Sequence, residues 1–170
     1  TKYTYDDNDN RLNSGSSPAI YDGQDRLTRV GNNSYSYGAG GELMSKSDDG
    51  AKANYDYDAL GNLMKVTLPN GKVIQYVVDG RNRRIGIKVN NVLQKGFLYY
   101  DDLQLIAESD GNNKIISRFV YGSRDQVPDY LIKGGATYRI ITDHVGSPRL
   151  VVDVLSGAVA QRLDYDEFGN

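Results

Sequence analysis

The chain has 170 residues and is balanced in charge, 20 Lys and Arg against 22 Asp and Glu. The signs are interspersed, which leaves no basic stripe for nucleic acid; no apolar run approaches the ~20 residues that span a bilayer; and the absence of Cys removes disulfides and thiol catalysis without fixing a compartment. Hydrophobic residues make up 39%, with 19 Gly and with 14 Tyr against 3 Phe and no Trp, which predicts many short strands and turns in a thin, partly wet sheet rather than a thick core.

No signal-like segment opens the chain, and Thr1 is not an initiator Met, so it reads as a fragment or a mature form. Residues 1–54 hold three copies of a short unit, at Tyr5-Asp6, Tyr21-Asp22 and Tyr37-Gly38, and are expected to be the loosest part. Polar turns fall at 13–18 and at Asp49-Gly50.

Residues 55–136 begin with the clearest copy, Tyr55–Leu63. Tyr55 and Tyr57 share one face of a strand, because side chains alternate. Asp58 stands where a turn wants a short acceptor for the backbone two residues on, and Gly61 where the chain needs positive φ to re-enter the return strand. A fifth copy starts at Val78-Asp79 and a sixth at Tyr165-Asp166. Four residues after the start of each copy stand Asp9, Asp25, Gly41, Gly61, Asn82 and Gly169, all types that tolerate the left-handed region. The residue after each is polar. The first five starts are 16, 16, 20 and 21 residues apart, the spacing of a repeat architecture with one hairpin per unit.

Within this stretch, turns at 69–71, 90–91 and 110–112 separate β-branched or aromatic runs such as 73–78 and 115–121. Residues 122–136 read as a longer loop, with Val127, Tyr130, Leu131 and Ile132 packed against the sheet. Residues 137–170 form the last segment, with strands at 137–142, 149–153 and 158–165 and a turn at Ser156-Gly157. No window shows helical periodicity with caps at both ends. The fold class is all-β, a continuous array of antiparallel hairpins.

The Tyr-Asp units resemble YD repeats. The stretch Asp143–Asp153, with Asp143, His144, Gly146, Ser147, Pro148, Arg149 and Asp153, resembles the start of the RHS-repeat-associated core, as does the closing 162–170. The runs 78–84 and 118–122 are similar to bacterial Rhs proteins. The resemblance covers essentially the whole chain. It implies a long sheet spiralling into a hollow shell, as in Rhs polymorphic toxins, the C subunits of Tc toxins, and teneurins. In the toxin members the shell encloses a C-terminal toxin, and the core is followed by an aspartyl-type self-cleavage segment. Residues up to Asn170 correspond to a region upstream of that segment, so neither activity carries over. The implied partners are the rest of the shell and the toxin, and the implied setting is secreted or exported from a bacterium.

Sharper readings compete. Asp143, His144 and Ser147 could be imagined as a hydrolase triad, but a triad needs its base set between nucleophile and acid, and a turn explains the same residues. Asp6 to Asn10 resembles a calcium loop that lacks the Gly at the sixth position (Arg11) and the Glu at the twelfth (Ser17). Glu42, Glu108 and Glu167 are the only glutamates, and no spacing marks a facing carboxylate pair for glycoside hydrolysis. Arg81, Arg83, Arg84 and Lys88 form the densest basic cluster, with Asp79, Asp101 and Asp102 near enough to pair. The assignment is therefore no catalytic, metal or cofactor residue, with the turn and core-motif residues structural. The rival reading is an extracellular carbohydrate-binding module whose tyrosines stack sugars. An array cut from a longer sheet is also expected to dimerise through an edge strand.

Overall fold

The computed structural model describes residues 3–14, 17–166 and 169. Gly15 and Ser16 of the expected turn at 13–18, and Glu167, Phe168 and Asn170 of the closing motif, lie outside the described residues. Contacts divide the chain into two units, Thr1–Val78 with Lys88–Asn91, and Asp79–Ile87 with Val92–Asn170.

The first unit holds β1 (Asn13–Ser14), β2 (Ser17–Tyr21), β3 (Leu27–Val30), β4 (Asn33–Tyr37), β5 (Leu43–Asp48), β6 (Ala51–Tyr57), β7 (Leu63–Thr67) and β8 (Val73–Val78). Each pairs antiparallel with the next. Strand β9 (Arg84–Val89) is divided between the units. The second unit continues with β10 (Val92–Tyr99), β11 (Leu105–Asp110), β12 (Ile115–Val120), β13 (Tyr130–Lys133), β14 (Ala136–Thr142), β15 (Pro148–Asp153) and β16 (Val159–Arg162). From β10 onward these also pair in chain order, all antiparallel. The fold is all-β, with no helix among the described residues.

Antiparallel register sorts side chains by face. In the first unit the row Ser36, Ser45, Asn54, Thr67 crosses β4 to β7 on one face. On the other, Tyr55 faces Val66, which faces Ile74. Each such cross-strand pair contributes roughly 0.2–1 kcal/mol, so the sheet is held by many small terms. Only Val66 and Ala107 are buried apolar residues among those described. Ser45, Ser109 and Ser117 are buried with them, and small side chains there let neighbours close over the sheet. The core is one layer of half-buried rows.

Residues 122–136 differ from the expected loop. Tyr130–Lys133 form β13, paired with β12 through Phe119 and Leu131 and with β14 through Leu131 and Tyr138. The run is short, and Gly134-Gly135 behind it looks like loop interior. Both glycines have positive φ, 60° and 82°, which is the geometry of a two-residue hairpin turn rather than of a loose segment. The true loop is 122–129. Asp129 closes it by accepting from the Ser123 backbone N–H and hydroxyl, both at 2.6 Å.

Candidate functional site: the turn ladder on one sheet edge

An antiparallel meander puts alternate connections on opposite edges. In each unit the Tyr-Asp turns therefore fall on one edge, and the connections at 31–32, 49–50, 69–71, 90–91, 110–113, 134–135 and 153–157 on the other.

The Tyr-Asp turns share one backbone form. The first residue's N–H donates to the carbonyl four residues on: Asp6 to Asn10, Asp22 to Arg26, Gly38 to Glu42, Asp58 to Asn62, Asp79 to Arg83, all within 2.8–3.0 Å. The fourth residue's N–H returns to the first carbonyl, from Asp9, Asp25, Gly41, Gly61, Asn82 and Gly169, at 3.0–3.1 Å. Their φ values are 63°, 58°, 94°, 81°, 65° and 82°. The pairing register shifts just before the turn at Tyr21, Tyr37 and Tyr57, and each of these faces a leucine of the return strand, Leu27, Leu43 and Leu63.

The aspartate locks this form. Its Oδ1 accepts two backbone N–H groups, two and four residues on. For Asp58 these are Leu60 and Asn62, both at 2.9 Å; for Asp79 they are Arg81 at 2.9 Å and Arg83 at 3.0 Å. Asp6 and Asp22 repeat the pattern. The polar fifth residue has a specific task, because its side chain closes on Oδ2. Asn10 and Asn62 donate from Nδ2 at 3.2 and 2.8 Å, and Arg26 and Arg83 from Nε at 2.8 and 2.9 Å. A carboxylate with three or more donors prefers its charged form. The Asn10 N–H holds Asp6 below the usual range, the Arg26 side chain does so for Asp22, the Asn62 side chain for Asp58 and the Arg83 N–H for Asp79.

Turns are also stitched to their neighbours. Arg26 reaches on from Asp22 to the Gly38 carbonyl at 3.2 Å and lies over the Tyr37 ring at 5.1 Å. Arg83 reaches from Asp79 to the Asp101 carbonyl at 2.7 Å and lies over Tyr99 at 5.2 Å. Asn8 and Asn10 both donate to Asp25 Oδ1. The tyrosine hydroxyls add a second stitch. Tyr21 donates to the Arg11 carbonyl, Tyr37 to Leu27, Tyr99 to Arg84, Tyr121 to Leu105 and Tyr165 to Pro148, at 2.7–3.1 Å.

Gly38 lacks the carboxylate, and Glu42 supplies one from the fifth position. A Cβ at Gly38 would lie 3.0 Å from Glu42 Oε2, and one at Gly40 would collide with the same carboxylate. The Glu42 carboxylate thus lies against the first and third residues of this turn.

Three further connections have this backbone form and escape a pattern that starts on an aromatic residue. They begin at Leu68, Asp110 and Asp143. Asp110 and Asp143 each accept two backbone N–H groups through Oδ1, and the positive-φ residues are Gly71, Asn113 and Gly146. The spacing of Asp to Asn or Gly three residues later was the readable signal. Asp110-Gly111-Asn112 therefore turns at Asn113 rather than within the three residues named from sequence.

The core-motif residues lie on this scaffold. Asp143 accepts from the Val145 and Ser147 N–H groups and from Arg149 Nε at 3.0 Å. Burial opposes its ionisation, and those donors outweigh it. Its carboxylate is thus directed at backbone and Arg149, and His144 is exposed at the turn tip. Pro148 opens β15 and accepts from Tyr165, and Arg149 lies over the Tyr165 ring at 5.0 Å. Asp153 caps the next connection by accepting from the Leu155 and Ser156 N–H groups. Asp166 starts the sixth turn, its carbonyl accepting from Gly169. Among the described residues no group of three or more His, Asp or Glu is gathered as a metal site.

The profile of one family, the teneurin YD-shell, matches residues 1–170. The chain belongs to the teneurin YD-shell family. The YD-shell repeats are similar to the tRNA3(Ser)-specific nuclease WapA of Bacillus spizizenii, 28% identical over 99% of this chain and 7% of that protein. They are similar to human teneurin-1, 27% identical over 99% of this chain and 6% of that protein. The chain thus spans under a tenth of these relatives. Among solved structures, the Photorhabdus luminescens Tc holotoxin pore shares the fold at TM-score 0.56 and 15% identity, over 81% of this chain and 9% of that one. A TcdB2–TccC3 crystal structure does so at TM-score 0.51 and 12% identity, over 88% and 10%. The RHS and YD-repeat resemblance read from the motifs is the family relationship found, and the hairpin array is its fold.

Proposed function

We propose that this chain is a wall segment of a YD-repeat shell that encloses a C-terminal toxin and helps to deliver it in intercellular competition or virulence. The shell partners are the remainder of the same protein and the toxin it holds, and the parent is exported from the cell. Residues 1–54, 55–136 and 137–170 are successive parts of one array, the last being the start of the core. The supporting observation is the stitching of neighbouring connections, Asn8 and Asn10 to Asp25, Arg26 to Gly38 and Arg83 to Asp101, which ties together units too thin to stand alone.

The segment works by geometry rather than by chemistry. The turn carboxylates of Asp6, Asp22, Asp58 and Asp79 are committed to backbone N–H groups, and Arg26 and Arg83 to carbonyls and rings. The tyrosines favour the shell over a sugar-binding module, because Tyr21, Tyr37, Tyr99, Tyr121 and Tyr165 use their hydroxyls within the sheet. Limited proteolysis of the full-length parent tests the proposal. The region after the shell should resist protease in the wild type and become cleavable when Arg83 and Asp79 are both replaced by alanine. Equal cleavage in both, or specific retention of the chain on a glycan array, would overturn it.

A further inference from the structure

Asn70-Gly71 is the only Asn-Gly pair in the chain. It sits in the connection between β7 and β8, on the edge opposite the Tyr-Asp turns, and both residues are exposed. The turn is closed by backbone alone: Leu68 N–H donates to Lys72 and Gly71 N–H to Leu68, each at 2.9 Å. The first position is Leu68, so no carboxylate locks this turn. The Asn70 side chain folds over the following peptide, and its Oδ1 accepts from the Lys72 N–H at 3.0 Å. That bond draws electron density from Cγ and holds the side-chain amide beside the backbone nitrogen of Gly71. Gly71 has φ 79°, and with nothing within 4 Å of where a Cβ would stand, it brings no side chain of its own to obstruct attack by its nitrogen.

We propose that Asn70 is a site of spontaneous deamidation. When the turn opens and the Gly71 N–H leaves the Leu68 carbonyl, hydroxide takes its proton and the nitrogen bonds to Asn70 Cγ. The amide nitrogen leaves as ammonia, and a five-membered succinimide closes. Water then adds to either ring carbonyl and breaks one ring C–N bond, leaving aspartate or isoaspartate at position 70. The net change is one water consumed and one ammonia released, with no oxidant or reductant. Asparagine is among the thermolabile residues for this reason.

The other turns show why this one is singled out. Asp22-Gly23, Asp79-Gly80 and Asp110-Gly111 have the same small neighbour, but their side chain is a carboxylate whose Oδ1 is held by two backbone N–H groups. An ionised carboxylate is a poor electrophile with no ammonia to lose. Asp49-Gly50 lies on the same edge as Asn70 and shares that chemical handicap. Asn82, Asn90 and Asn113 sit in turns but are followed by Arg83, Asn91 and Lys114, whose side chains crowd the attacking nitrogen.

The chain is incubated at mildly alkaline pH in heavy-oxygen water, digested, and its peptides resolved by liquid chromatography and mass spectrometry. The peptide carrying Asn70 should show the mass gain of a side-chain amide replaced by a heavy-oxygen hydroxyl several-fold faster than those carrying Asn82, Asn90 or Asn113. It should split into aspartate and isoaspartate forms, each with heavy oxygen incorporated. Gly71→Asn, which tolerates the positive φ, should suppress the change at Asn70 while far-ultraviolet circular dichroism stays that of the wild type. Asn70 surviving as long as Asn82, or converting without heavy oxygen, would overturn the proposal. The wild-type measurement decides this even where the variant fails to fold.

Discussion

Arg83 grips Asp79 with two nitrogens on one oxygen, Nε at 2.9 Å and Nη2 at 2.7 Å from Oδ2. The third nitrogen, Nη1, goes to the Asp101 carbonyl at 2.7 Å, and the guanidinium plane covers Tyr99. One side chain thereby fixes its own turn and the next. Lysine is a point charge and cannot do both. Arg83→Lys should cost about 1–2 kcal/mol from the lost carbonyl bond and ring contact. Urea unfolding of the two forms measures it, and equal midpoints would show that the bridge between turns is idle.

Tyr37 tests the second stitch. Its hydroxyl donates to the Leu27 carbonyl at 2.7 Å, and burial pushes the phenol up from its ordinary value. Tyr37→Phe keeps the ring and removes the bond, with an expected loss of about 0.5–1.5 kcal/mol. The same change at Tyr35, whose hydroxyl has no such partner among the described residues, should be close to neutral.

The relocated acid at the third turn predicts a compensating pair. Gly38→Asp alone brings a second carboxylate against Glu42 and should destabilise. Gly38→Asp with Glu42→Asn rebuilds the arrangement of Asp58 and Asn62. A double-mutant cycle should give a favourable coupling of at least about 0.5 kcal/mol. Additive effects would mean that Glu42 does not stand in for the missing aspartate.

Acid should weaken the sheet through the turn carboxylates. Asp6, Asp22, Asp58, Asp79, Asp101, Asp129, Asp143 and Asp153 are all held below the ordinary value of 3.8. The unfolded chain therefore binds protons first, and stability rises with pH in that range. The contribution is fully present above the unfolded value near pH 4 and is lost as pH falls through the lower folded values. Denaturant midpoints should stay flat down to about pH 5 and then drop. Asp58→Asn keeps an acceptor for the two N–H groups without the charge, and should flatten the drop. An unchanged acid slope would show that Asp58 does not carry it.

Strand β16 is exposed along its whole length and lies last in the second unit. An exposed strand with open hydrogen-bonding groups is a template for another copy. Expressed by itself, the chain should form an antiparallel, two-fold dimer through this strand. Val159→Lys would set like charges near each other across the two-fold and shift the equilibrium to monomer. Light scattering over a range of concentrations follows it, and a monomer throughout would exclude edge pairing.

Much of the fold is legible because the turns declare themselves locally. Gly, Asn and Asp at the positive-φ positions, with an acid three residues earlier, require no knowledge of the neighbours. The connections at Asp110 and Asp143 read as turns, but without an aromatic lead their kinship with the Tyr-Asp form does not. Tyr130–Lys133 was harder, because a four-residue strand depends on partners on both sides that its own letters do not record. The stitches were not legible. That Arg26 crosses to Gly38 depends on which hairpins lie side by side. The fifth residue could be seen to be polar, but its bond to Oδ2 and its reach to the next turn follow from three-dimensional register.

The alternation of edges sets a parity rule on growth. Removing or adding one strand would move every later Tyr-Asp turn to the opposite edge, away from the arginine or tyrosine that awaits it. Removing a whole hairpin leaves the order of edges intact and asks only that two turns of the same form meet. Lineages of such arrays should therefore lengthen and shorten by even numbers of strands, and homologues that differ by a single strand should be absent.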